Sequence, residues 1–491
     1  MIRRNLAPAA VTGGAATGIG ALAAVSPLGA ALAALGAGVV FAVFALRERM
    51  VSVFLVSLAV GLAGYAFSGR TFAHLGIPPL YVGELLLALA LLSLIFTWRR
   101  APLTWIDGLL AAFMLLGLVR TVPYIQRDGV DAFRDATLWG YGIFAFAASR
   151  AVRAEDFAKI SGLYRWAMFP FMLWVPVLAI AAPIFGPQLP KVPDGTLLLT
   201  FKGGDAGVHL AGALAFALIG LAGAAAVRQT LFLPAWLIAL IASGAANRGG
   251  LIAANVAWAA VAFVRPRKTW LYGLPAVAIL LAALIASDPS VYVGGRPMSL
   301  GQVQDNVISI LNDSNDSKQG SKEFRLRWWG DIIDYTVFGP YFWTGKGFGV
   351  NLADDDGYQV EADGSLRAPH NSHFTVLARM GVPGLVLWLT LIVGFIASLI
   401  VAQHRARRSG AVFWAGIQLW VALYAAAALV DTAFDPYLEG PQGSLWFWTL
   451  FGIGVAALRF GKQAAAERSP ANPAVARPVV AHRPPAEQEA A

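Results

Sequence analysis

The run Ala368-Pro369-His370-Asn371-Ser372-His373-Phe374 stands just before a long apolar segment. An imidazole there can serve as a general base near neutral pH. Asn371 can orient it or bind substrate; equally, Asn371 or Ser372 can be the N-cap of the helix that follows. Two histidines within four residues also raise metal binding. The partner spacing of a histidine-carboxylate metal site is missing, so no metal and no cofactor are expected. A second cluster, Ser243-Gly244-Ala245-Ala246-Asn247-Arg248-Gly249-Gly250, joins two apolar segments. The planar fork of Arg248 suits phosphate oxygens, and the small neighbours let a ligand approach the backbone. The bland alternative is an arginine reaching lipid headgroups. A third, Glu323-Phe324-Arg325-Leu326-Arg327-Trp328-Trp329, places Arg325 and Trp329 on one helix face. It too reads either as a binding face or as an interfacial helix resting on lipid. Gly345-x-Gly347-x-Gly349 lacks the strand-turn-helix setting of a nucleotide motif. The acidic run Asp354-Asp355-Asp356, with Glu361 and Asp363, reads as a solvated loop before a cation site. Asn312 to Ser317 reads as a turn.

The elements that must hold these groups are membrane helices. Of 491 residues, 58% are hydrophobic and 13% charged, about half the charge of a soluble chain. Runs such as Leu85 to Phe96 and Ala211 to Val227 have no polar face and need lipid or other helices all round. Spans are predicted near 9–25, 28–46, 51–67, 80–97, 105–119, 137–149, 163–185, 207–226, 231–245, 250–264, 270–287, 373–401, 411–430 and 444–459. Ser26-Pro27 divides the first pair, so the expectation is an all-α polytopic membrane protein of about 12–14 transmembrane helices. The start, with Arg3 and Arg4 before an apolar run, reads as a retained first helix rather than a cleaved signal peptide. There is no cysteine, which excludes disulfides, thiolate metal sites and a cysteine nucleophile.

Lys and Arg gather in alternate loops, from Arg3-Arg4 through Arg47/Arg49, Arg99-Arg100, Arg150 to Arg165, Arg228, Arg265 to Lys268 and Arg405 to Arg408 to Arg459/Lys462. The positive-inside rule makes that side cytoplasmic. The basic pI then reflects topology, and no nucleic-acid partner is expected. The opposite side holds one exceptional loop, residues 288–372, with 7 Lys/Arg against 12 Asp/Glu in a chain of net charge +9. The predicted organisation is an N-terminal bundle over 1–287, a mainly helical extracytoplasmic subdomain over 288–372, C-terminal spans over 373–460, and a disordered cytoplasmic tail over 461–491.

In this order around one large outer loop, the motifs resemble those of the O-antigen ligase and polymerase superfamily of bacterial membrane glycosyltransferases. The resemblance rests on Asn247-Arg248-Gly249, Arg325-Leu326-Arg327-Trp328-Trp329, the Gly345 to Gly349 stretch, and Pro369-His370-Asn371 followed by Leu377 to Leu385. It covers roughly Phe201 to Val401. It implies inverting, metal-independent transfer of a glycan from an undecaprenyl-pyrophosphate donor to an acceptor hydroxyl, a glycan or lipid A-core, on the outer face of the bacterial inner membrane. Carried onto these residues, Arg248 and Arg325 hold the pyrophosphate, His370 activates the acceptor, Asn371 contacts substrate, and Lys202 is a further phosphate ligand. Two departures, Ala-Ala-Asn before Arg248 and the acidic stretch between Gly349 and His370, leave acceptor recognition to the variable loops. A polysaccharide flippase or a non-catalytic membrane scaffold are the competing readings. A transporter would show internal repeats or mid-membrane charges, whereas these spans carry their chemistry at the rim.

Overall fold

The computed structural model describes residues 47–77, 80–192, 195–200, 202–223, 229–246, 250, 252, 291–293, 296–298 and 316–468. The expected spans at 9–25, 28–46, 250–264 and 270–287 lie outside these residues, 250 and 252 apart. Among the described residues fourteen α-helices follow in order: α1 Arg47–Ser68, α2 Val82–Thr97, α3 Trp105–Asp128, α4 Val130–Asp135, α5 Thr137–Gly140, α6 Gly142–Ala151, α7 Asp156–Ile184, α8 Gly203–Ile219, α9 Gln229–Ala246, α10 Asp316–Thr336, α11 Leu352–Asp355, α12 Ser372–Arg408, α13 Val412–Asp431 and α14 Pro441–Glu467. Two small antiparallel hairpins, Gly76–Ile77 with Leu80–Tyr81 and Val291–Val293 with Arg296–Met298, are the sheet present among the described residues. The molecule is an all-α polytopic membrane protein. Seven of the described helices (α1, α2, α3, α7, α12, α13 and α14) are long and apolar enough to cross a bilayer, and α8 and α9 are shorter apolar helices.

Loops collect at two opposite ends of the bundle. At one end Arg150 pairs with Asp107 at 3.3 Å, Arg459 donates to the Ser149 carbonyl and Arg468 to the Gly410 carbonyl. At the other, Thr200 bonds Ser68, Arg325 donates to the Phe434 carbonyl, and Arg367 pairs with Asp131 and Asp135. These are the two sets into which Lys and Arg sort the loops. Between them runs one apolar core in which Phe113, Trp388 and Trp448 form a ring cluster and Phe395 stacks on Phe451 at 3.9 Å.

Several helices depart from the expected bounds. α3 continues to Asp128, through Pro123, because Gly129, with φ 53, is its first backbone break. The span expected at 137–149 is broken at Tyr141 into α5 and the ten-residue α6. α8 stops at Ile219, capped by Gly220 in the left-handed region. α14 runs to Glu467, so the helix takes in the first residues of the expected tail, where Lys462 to Glu467 are good helix formers. The rest of that tail, 469–491, lies outside the described residues.

The largest departure is in α12. Residues 373–401 read as one straight span, yet the chain turns at Gly381, with φ 69 and ψ −171. Only glycine adopts this backbone cheaply, and Pro383 removes an amide from the next turn. The Trp388 indole donates to His373 Nδ1 at 2.9 Å. Fifteen residues of straight helix would separate them by about 22 Å. The arm 372–380 is therefore folded back against the arm 382–408. It also packs on the loop before it: Leu377 and Ala378 share a core with Trp328, Ile332, Leu352 and Ala353.

Candidate active site

α10 builds one wall. Arg325 and Trp329 share a face, as their spacing predicts. Trp329 donates to the Pro369 carbonyl at 2.9 Å and stacks on Phe374 with centroids 5.0 Å apart. Arg325 donates to the Phe434 carbonyl at 3.1 Å and remains half-buried. On the adjoining face, Trp328 stacks on Tyr358 at 5.1 Å and bonds Asp356 at 2.6 Å. One tryptophan locks the subdomain core while its neighbour locks the histidine turn.

His370 is the one described non-glycine residue in the left-handed region, at φ 54. Such a backbone costs roughly 1–3 kcal/mol and persists where its surroundings enforce it. The enforcement is visible on both sides. Trp329 holds the Pro369 carbonyl. Asn371 caps the folded-back arm, its Oδ1 accepting from the His373 and Phe374 amides at 2.9 and 3.2 Å. Of the two uses the sequence allows Asn371, the cap is the one observed. It occupies Oδ1 and leaves only the side-chain NH2 for a ligand. Burial lowers the His370 pKa, the positive charges of Arg325 and Lys202 lower it further, and Asp435 opposes them. The ring is therefore neutral at neutral pH, the form a base needs. His373 is held by Trp388 and by the Leu429 carbonyl at 3.2 Å, which makes it a packing histidine.

Lys202 reaches the same place from the start of α8. Its Nζ lies 2.6 Å from Asp435 Oδ1 and 3.5 Å from Asp205 Oδ1. Burial alone would lower its pKa, but Asp205 and Asp435 outweigh burial and hold the ammonium above its ordinary value. Its charge is already matched by carboxylates. Arg248, with Asn247 and Gly249, lies outside the described residues. The flanks of that turn are placed: Ser243 donates to the Gly203 carbonyl at 2.6 Å, and Gly207 packs directly on Gly250. Ser243 and Gly250 therefore lie against the first turns of α8, which starts next to Lys202.

Three carboxylates carry much of this site's framework. Asp435 pairs with Lys202, and its charge acts on His370. Glu439, on the 3-10 turn Tyr437–Glu439, accepts from Thr375 Oγ1 at 2.8 Å, and burial raises its pKa to about 7. Asp135 pairs with Arg367 at 3.1 Å and with Arg379 at 2.9 Å, fastening the subdomain to α4. None of the three falls in a sequence motif; the signal in the sequence is slight, an acidic pair, Asp431 and Asp435, between spans almost free of charge.

Two other motifs resolve into structure. Gly345, Gly347 and Gly349 all have positive φ and lie against the Arg379 backbone, Tyr124 and Asp128, where a Cβ would overlap. The glycine run is a docking strip. The acidic run is not simply solvated. Lys346 Nζ lies 2.5 Å from both Asp355 and Asp356, and Asp356 also accepts from Trp328 and Tyr335. Asp356 is a buried hub of the subdomain.

Residues 233–389 match a family model described as O-antigen ligase. Over this segment the chain is similar to the O-antigen ligase family. No curated protein matches the sequence. The matched segment contains Arg248, Arg325, His370, Asn371 and the Gly381 hinge. Lys202, Asp205, Asp435 and Glu439 lie outside it in sequence and join it through the fold.

Proposed function

We propose that this protein is an inverting, metal-independent glycosyltransferase of the O-antigen ligase or surface-polysaccharide polymerase kind. It moves a glycan from a polyprenyl-pyrophosphate donor, of the undecaprenyl class, to a hydroxyl of a glycan or lipid A-core acceptor. The observation that carries the reading is the His370 turn, held in a costly conformation with a neutral imidazole beside Arg325. Its place at the end of the bundle opposite the basic loops supports an outward-facing site in a bacterial inner membrane.

In the proposed step the acceptor oxygen attacks the anomeric carbon from the face opposite the pyrophosphate. The new C–O bond forms as the bond to pyrophosphate breaks, and the acceptor proton passes to His370. The leaving pyrophosphate stays on its lipid, and its growing negative charge is held by Arg325 and Arg248. Lys202 was a further phosphate ligand in the sequence reading. With its ammonium held by Asp435 and Asp205, a phosphate would have to displace a carboxylate. Its part in this proposal is to hold Asp435 near the imidazole.

The test is transfer by purified protein in proteoliposomes. Labelled lipid-linked glycan is offered with either a lipid A-core acceptor or a second lipid-linked glycan, with and without chelator. Product with one acceptor, unaffected by chelator, is expected. No product with either acceptor overturns the reading, and loss under chelator overturns metal independence.

A further inference from the structure

The turn that follows α10 exposes large apolar side chains in an otherwise polar loop. Phe338 is 81% exposed and Trp343 74%, with Val337 before them and Tyr341 between them partly exposed. The turn is not loose. The Val382 amide donates to the Phe342 carbonyl at 2.8 Å, and the Lys346 and Gly347 amides donate to Ala378 and Arg379. Gly381 packs so closely on Phe342 that a Cβ would overlap its carbonyl. The turn is thus fixed to the hinge of α12, and the height of that hinge can be measured along the helix. Val382 to Ala402 is a run of 21 residues without a charge, ended by Gln403, His404 and Arg405. At 1.5 Å per residue it spans roughly 30 Å, the thickness of a bilayer's hydrocarbon core. Val386, Leu389 and Val393 on this arm face outward, as lipid-facing residues do. The hinge therefore sits where hydrocarbon gives way to headgroups, and the turn bonded to it sits there too.

We infer that the turn Val337–Thr344 is an interfacial anchor whose Phe338 and Trp343 side chains enter the outer boundary of the membrane that α12 crosses. Aromatic side chains are favoured at that level, where rings meet acyl chains and polar edges meet headgroups. The occupant is lipid rather than a protein partner because the turn is bonded to the hinge at which the outward apolar face of α12 begins. The anchor has a consequence for the site. The arm 372–380 hangs from the same hinge, so the turn fixes the depth at which the His370 loop is held.

The chain's lack of cysteine allows a direct test that needs no activity and does not depend on the glycosyltransferase reading. Spin labels are placed singly at F338C and W343C, with V386C as a lipid-facing reference. A362C, between the exposed carboxylates of Glu361 and Asp363, is the aqueous reference. Collision with oxygen and with a water-soluble nickel chelate is then compared in proteoliposomes. Labels at 338 and 343 should favour oxygen over nickel by several-fold relative to A362C, and lie shallower than V386C. Nickel accessibility equal to that of A362C overturns the anchor. Labels reached by neither reagent also overturn it, because they would be covered by protein.

Discussion

Replacing Gly381 with alanine tests the claim that a reversed helix arm positions the histidine. Gly381 has φ 69, a region that costs an alanine roughly 1–2 kcal/mol. Its Cβ would also overlap the Phe342 carbonyl and stand 3.0 Å from the Thr344 and Gly345 amides. Those atoms are backbone, tied through Val382, Ala378 and Arg379, and cannot move aside without opening the turn. The two costs together exceed about 2 kcal/mol, enough to depopulate the folded-back arm about 30-fold. Gly410 is the matched control, since it has φ 78 and open space where a Cβ would go. Transfer should fall at least 30-fold in Gly381→Ala and remain within a few-fold in Gly410→Ala, with both proteins inserted normally. A spin-label distance between positions 374 and 389 reports the fold-back separately. Wild-type transfer by Gly381→Ala, with that distance lengthened, would show that the reversed arm is not what places His370.

Arg325→Lys and Arg248→Lys keep charge but lose the bidentate fork; donor binding and transfer should both drop by tenfold or more, measured with labelled donor in proteoliposomes. The acid limb of the rate profile should lie below pH 6.5, because burial, Arg325 and Lys202 all disfavour the charged ring of His370. Removing the opposing charge with Asp435→Asn should move that limb to still lower pH, and Arg325→Gln should move it up; an unshifted limb in both would detach it from His370. Glu439 binds its proton more tightly when folded, with a pKa of about 7 against 4.5. Its ionisation therefore opposes folding increasingly from about pH 4.5 up to 7. Glu439→Gln should raise the melting temperature at pH 8 and lose that advantage by pH 5, in scans of detergent-purified protein.

Apolar runs and the alternation of Lys and Arg were enough to read membrane class and the two-ended sorting of loops, because both depend on single-residue solvation. The face shared by Arg325 and Trp329 was legible for a similar reason: helical spacing is local. The Gly381 reversal was not. Gly381-Val382-Pro383 can kink a helix or merely interrupt it, and the choice is made by Phe342, Thr344 and Gly345, about forty residues earlier. Longer separations still hid Asp435, Asp135 and Glu439. A carboxylate in a loop is ordinary until Lys202, Arg379 or Thr375 arrives from another helix. Asn371 was legible as cap or ligand, and only the two backbone amides it accepts from decide between them. The acidic run is solvated at Asp354, Asp355, Glu361 and Asp363, as it reads, and only Asp356 is drawn inward, by Lys346 and Trp328.

The central claim is that His370 takes the acceptor proton while the arginines hold the donor. His370→Ala, assayed for labelled-donor binding and for transfer in the same proteoliposomes, tests it most directly. Binding within a few-fold of wild type with transfer lowered by about 10²–10⁴ is the predicted result. His373→Ala, in which the bonds to the Trp388 indole and the Leu429 carbonyl are lost, should be much milder. Equal loss of binding and transfer in His370→Ala, or transfer that survives the substitution, would contradict the account.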